Sequence, residues 1–196
     1  MEQSIKSATA FAGSRRIASG DLAQVALAVK AAVDREASVP VLVFDDETSR
    51  LVELDLRGTP QEIVGRLSAA PNPSTPAAGA EPRGPGRPKL GVIAREVTLL
   101  PRHWQWLGAQ PGGASVALRK LVDEARRVND GRDRIRRARE ITYRFMSAMA
   151  GDYAGYEEAI RGLFAGNRPR FRDSIGSWPA DVRTHIDALS TSAWDD

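Results

Sequence analysis

The chain has no cysteine among its 196 residues, which removes disulfides, iron–sulfur clusters, thiolate zinc sites and cysteine nucleophiles together. It has two histidines, His103 and His185, in segments far apart, and it shows no HExxH, phosphate-loop, GxSxG or dinucleotide-binding pattern. The expectation is a protein that is not an enzyme and takes no cofactor. Asp45, Asp46 and Glu47 adjoin one another but lack the spaced oxygen ligands and glycine of a calcium loop, so they read as a polar turn and no metal site is assigned. No window approaches the ~20 apolar residues of a membrane helix, and the opening MEQSIKSATAFAG lacks the basic and long apolar stretches of a signal peptide. A cytoplasmic protein with no membrane partner is expected. Aromatics make up only 6% of the chain, and none falls between Arg126 and Arg139, which disfavours RNA binding by base stacking.

Charge of one sign is scarce in total but not locally. The net charge is +3. From Arg83 to Arg144 there are 15 basic against 6 acidic residues, while residues 1–82 carry 8 against 11 and residues 145–196 carry 5 against 8. Exposed charges within about a Debye length, roughly 8–10 Å, add their potentials, so this central block attracts a polyanion on a nearly neutral protein. Nucleic acid is the leading partner.

Hydrophobic patterning predicts an α+β fold. Residues 1–69 read as a small ββαββα unit: strands in TAFAG and RRIAS around Gly13-Ser14, a helix begun by Asp21 and Gln24 at capping-box spacing, strands at VPVLVF and Val52–Leu56, and a helix begun by Thr59-Pro60-Gln61-Glu62. Residues 70–88 (PNPSTPAAGAEPRGPGRP in their core) are too poor in large apolar side chains to fold alone and read as a disordered linker. Residues 89–130 read as strand, helix, turn, helix. Residues 131–196 read as a C-terminal helical bundle, with Ile135, Ala138, Thr142, Phe145, Met146 and Met149 on one helix face and helices started by Pro169 and Pro179.

The segment GVIAREVTLL, PRHWQWLGAQ, PGG, SVALRKLVDEARR resembles the ribbon-helix-helix DNA-binding fold over roughly residues 92–127. The resemblance implies a homodimer whose paired strands enter the major groove of duplex DNA. Arg95 and Thr98 lie on the strand, and the helix start near Ala114 and Ser115 offers backbone N–H groups to a phosphate. The strand register is open: one exposes Glu96, Thr98 and Leu100, the other Arg95. The alternative is a helical hairpin packed by Trp104, Trp106 and Leu107 in a larger core.

PRGPGRPK, residues 82–89, resembles an AT-hook in its Gly86-Arg87-Pro88 core with Lys89 following and Arg83 farther upstream. That resemblance implies an extended arm in the narrow minor groove of A·T-rich DNA. In the arginine run beyond Arg126, Arg132, Arg136 and Arg139 share a helix face at spacings of four and three and form a candidate phosphate track. The plain alternative for the hook is a Pro/Gly-rich linker with chance arginines, and for the track a solvated helix face.

Taken together, AFAGSRRIASG, PVLVFDD, LDLRG, the run from GRPKLGVIAREVTLL to LVDEARR, and YRFMSAMAGD resemble an uncharacterised bacterial family of unknown function, across nearly the whole chain. The functional expectation is a dimeric DNA-binding regulator of transcription or the nucleoid. A non-enzymatic adaptor for an unidentified protein partner, and an RNA-binding protein, are the alternatives.

Overall fold

A computed structural model of the protein describes residues 5–35, 39–68, 93 and 95–194. The linker at 70–88, with its hook core, and residues 89–92 and 94 lie outside the described residues. In chain order the elements are β1 (Ser7–Ala12), β2 (Arg15–Asp21), α1 (Leu22–Arg35), β3 (Val41–Asp45), α2 (Pro60–Ser68), α3 (Pro101–Gly108), α4 (Gly113–Met149), α5 (Tyr156–Phe164), α6 (Arg168–Ile175) and α7 (Ala180–Leu189). The fold is mixed α+β. Two compact units are distinguished: residues 1–72 with 132–196, and residues 73–131.

In the first unit the strands run antiparallel in the order β2-β1-β3. The hairpin expected around Gly13-Ser14 forms, with its register shifted between Ala10 and Phe11. Central β1 is buried from Ala8 to Phe11, and its alternation sorts side chains by size. Ala8 and Ala10 join Val43 and the α1 residues Val25 and Val29 in one cluster, where small side chains let the helix come close to the sheet. Phe11 and Phe44 enter a second cluster with Phe145, Met146, Leu163, Phe171, Val182 and Ile186 from the C-terminal helices. Phe145 sits among rings, its centroid 4.9 Å from Phe44, 5.4 Å from Phe11 and 4.5 Å from His185. The segments that chain order separates, 1–69 and 131–196, are therefore joined in one unit by a shared aromatic core.

Local signals place the helix starts. The Asp21 carboxylate accepts the Ala23 and Gln24 N–H groups at 2.9 and 3.3 Å. Before α2 the Thr59/Glu62 capping box closes reciprocally: Thr59 N–H donates to Glu62 at 2.7 Å, and Glu62 N–H donates to the Thr59 hydroxyl at 3.4 Å. Donation from the Thr59 backbone holds the Glu62 carboxyl below its usual range. Asn167 caps α6 through Arg170 N–H, with proline in the first turn, and Pro179 precedes α7. At the start of α5 only glycine fits: Gly155 has φ 83°, and a Cβ there would lie 2.7 Å from the Ser174 carbonyl oxygen.

Three expected elements differ. Val52–Leu56 does not form a fourth strand; Leu51 makes an isolated bridge to Phe44, and Val52 N–H donates to Val43 at 2.8 Å. The Arg66 side chain takes the Asp55 carbonyl within that stretch and the Arg57 carbonyl just beyond it, and Asp55 closes on Arg57, whose guanidinium holds that carboxyl well below the ordinary range. Residues 95–100 form no strand within the single chain. The two helices expected on either side of residues 128–131 are one 37-residue helix, α4. No proline interrupts it, Asn129 donates back to the Ala125 carbonyl at 2.8 Å, and Gly131 costs only about 1 kcal/mol against alanine.

Candidate nucleic-acid interface

In the second unit, Pro101 opens α3 directly after the extended Leu100 (φ −66°, ψ 150°), because a residue before proline is driven out of the helical region. The turn after α3 closes with Gly113 N–H donating to the Gln110 carbonyl at 2.9 Å, and α4 starts at once. Ala114 and Ser115 thus occupy the first turn of α4, where backbone N–H groups lack intrahelical acceptors. Ser115 lies inside the helix rather than capping it, and its carbonyl accepts from Arg119 at 3.1 Å. Arg95 and Thr98 are both exposed in the segment before α3.

This unit has almost no interior of its own. Of its described residues only Leu107 and Ala117 are buried. Ile93, Val97, Leu100, Trp104, Trp106, Leu121, Val122 and Val128 stand between 44% and 69% exposed. The packed hairpin in a larger core, the alternative raised from the sequence, would have covered both tryptophans. Along α4 the apolar positions Leu118, Leu121, Ala125 and Val128 recur at three and four residues, and the last three are exposed.

The arginines predicted to share a face do come together, but in a concavity rather than along an open track. Arg132, Ile135, Arg136, Arg139, Glu140 and Phe164 line a hollow of about 350 Å³ within the first unit. Arg139 is engaged internally, its Nε donating to the Ala193 carbonyl at 2.9 Å and its guanidinium reaching the Phe164 carbonyl at 3.4 Å. Arg136 pairs with Asp133 at 2.9 Å on an exposed surface. Phe164 is 48% exposed and meets Tyr143 edge-on, centroids 5.7 Å apart. These two rings were missed from the sequence: the arginine run contains no aromatic, and Phe164 reaches it from α5.

The polar groups that suggest chemistry are used structurally. His185 is buried against Phe11 and Phe145, and burial pushes its imidazole below the ordinary pKa. His103 is exposed on α3 in the other unit. Asp45 accepts Glu47 N–H at 2.8 Å and the Thr48 hydroxyl at 3.0 Å, and Asp46 accepts the Thr9 hydroxyl at 2.7 Å, so this turn organises itself. Among the described residues no group of three or more His, Asp or Glu side chains is arranged to hold a metal, and no helix is long and apolar enough to cross a membrane. The hook residues Arg83, Gly86, Arg87, Pro88 and Lys89 lie outside the described residues.

The chain belongs to the family described as "Uncharacterized protein conserved in bacteria (DUF2239)", whose match covers residues 7–190. No curated protein and no solved structure matches it.

Proposed function

We propose that this member of that bacterial family is a non-enzymatic, duplex-DNA-binding homodimer, a regulator of transcription or the nucleoid, docking through residues 89–131. The observation that carries the reading is the uncovered apolar surface of the second unit. Eight large apolar residues there are each 44% exposed or more, an amount of bare apolar surface that a monomer seldom leaves without a partner. A second copy satisfies two needs at once. It covers the tryptophans and the α4 stripe, and it offers residues 95–100 an antiparallel strand partner, which they do not have among the described residues.

With that pairing, the ribbon enters the major groove with Arg95 or Thr98 outward according to register, and the N–H groups at Ala114 and Ser115 hold a phosphate. Arg126 and Arg127, both exposed, extend the positive surface to further phosphates. The Gly86-Arg87-Pro88 arm, flanked by Arg83 and Lys89, takes an adjacent A·T-rich minor groove.

The test combines sedimentation with fluorescence-anisotropy titration of A·T-rich and G·C-rich duplexes across salt. The expected result is a dimer at micromolar concentration whose binding weakens by about 0.9 log units per log unit of salt for each phosphate contacted. Failure to bind duplex at low salt overturns the reading. A one-to-one complex with a protein, formed through the tryptophan face, replaces it with the adaptor.

A further inference from the structure

We infer that the hollow lined by Arg132, Ile135, Arg136, Arg139, Glu140 and Phe164 is a binding site for a phosphate-bearing aromatic base, that is, a nucleotide with its base unpaired. The inference goes beyond the duplex reading and does not depend on it, since every residue of the site lies in the first unit.

Three observations converge. The hollow, about 350 Å³, falls at the small end of the 300–1,000 Å³ typical of small-molecule sites. Its lining combines two kinds of group, the guanidiniums of Arg132 and Arg136, which suit a phosphate, and the Phe164 ring with Ile135, which suit a flat apolar body. Guanidinium forks match phosphate oxygens in pairs, and an exposed aromatic face stacks any base regardless of sequence. Glu140, the one anionic side chain lining the hollow among the described residues, is 53% exposed and pairs with Arg144 at 3.9 Å. It supplies an acceptor for a base N–H.

The stacking ring is also held in place before any ligand arrives. Arg139 ties the Phe164 carbonyl to the Ala193 carbonyl, so it acts as a positioning residue. Just beyond α5, Gly166 at φ 70° lets the chain turn so tightly that a Cβ would stand 2.9 Å from the Arg139 guanidinium. Asn167 N–H returns to the Gly162 carbonyl at 2.9 Å and closes the helix end. Tyr143 braces the ring edge. The Arg136–Asp133 pair is solvent-exposed on both sides and gives way readily to a phosphate.

The experiment is calorimetric titration of the full chain with guanosine 5′-monophosphate, with inorganic phosphate, and with a 5′-phosphorylated single-stranded DNA tetranucleotide. The mononucleotide should bind at least tenfold tighter than phosphate. Phe164→Ala should remove about tenfold of that affinity while leaving phosphate binding unchanged, and Phe164→Leu should restore only part of it. Arg132→Gln with Arg136→Gln should weaken all three ligands. Equal affinity for mononucleotide and tetranucleotide assigns a free nucleotide as ligand, and a tetranucleotide bound tenfold tighter assigns a strand end; both support the site. Nucleotide binding no tighter than phosphate, or unaltered by Phe164→Ala in protein whose circular dichroism matches the parent, overturns it. Duplex binding through residues 89–131 is read separately and stands or falls alone.

Discussion

The two ends of α4 carry the same kind of apolar periodicity and meet opposite fates. Toward its C-terminus Ala138, Thr142, Phe145 and Met146 are all 7% exposed or less, because the sheet and the helices after it close over them. Toward its N-terminus Leu121, Val122 and Val128 are 48–69% exposed. Amphipathic spacing specifies a helix and a face in both places; only the supply of a covering element separates core from open surface. A bare apolar stripe on a chain that has built a full core elsewhere is the feature on which the proposed dimer rests.

The sharpest way to break this comparison is to empty the covered end. Phe145→Ala should destabilise the protein by about 3–5 kcal/mol in denaturant unfolding, since a fully buried ring is removed among Phe11, Phe44 and His185; a loss under about 1 kcal/mol would mean this core is not what holds the unit. Gly155→Ala should cost about 1–3 kcal/mol, because it combines a left-handed backbone with a collision against the Ser174 carbonyl. Its thermal midpoint should drop, and an unchanged midpoint would discredit the close approach of α5 and α6.

A smaller effect comes from acid. His185 has a folded pKa below its unfolded value, so between the two the unfolded chain binds the extra proton. Its contribution is therefore full above about pH 6.5 and is lost as pH falls below it, with a slope of at most about 1.4 kcal/mol per pH unit. Asp46 opposes this shift and Arg16 reinforces it. His185→Leu should flatten the slope, and a persistent slope would locate the titration elsewhere. The smallest effect on stability belongs to the uncovered end: Leu121→Lys with Val128→Lys should change monomer unfolding by no more than about 0.5 kcal/mol. The same pair should weaken self-association at least tenfold in sedimentation, and unchanged association would remove this stripe from the dimer interface.

The parts of the fold legible in the sequence are those written within a few residues of one another. Asp21 with Gln24, Thr59 with Glu62, and the prolines at 60, 101, 169 and 179 mark helix starts because a cap and the first turn it serves are neighbours in the chain. Val52–Leu56 alternates as a strand should, yet the residue that claims its Asp55 carbonyl, Arg66, sits on the next helix. The break expected near Gly131 fails because one glycine cannot outweigh helix-forming neighbours on both sides. For the candidate sites, the spacing of Arg132, Arg136 and Arg139 correctly puts them together. Nothing in that spacing announces that Arg139 is spent on carbonyls or that Phe164 completes the hollow, because those contacts come from elements 25 and 54 residues away.

The central position of β1 has a consequence for how the protein is made. Phe11 and Phe44 are covered by rings from α4 and α7, and Arg16 N–H donates to the Asp181 carboxylate 165 residues later. At about 5–20 residues per second, a ribosome needs roughly 8–33 s to bridge that gap. Throughout that interval the hairpin emerges with one greasy side bare, and its native cover does not yet exist. A strand made well before its cover is thus among the last to be finished, and the nascent chain, rather than the completed one, is where a chaperone has most to protect.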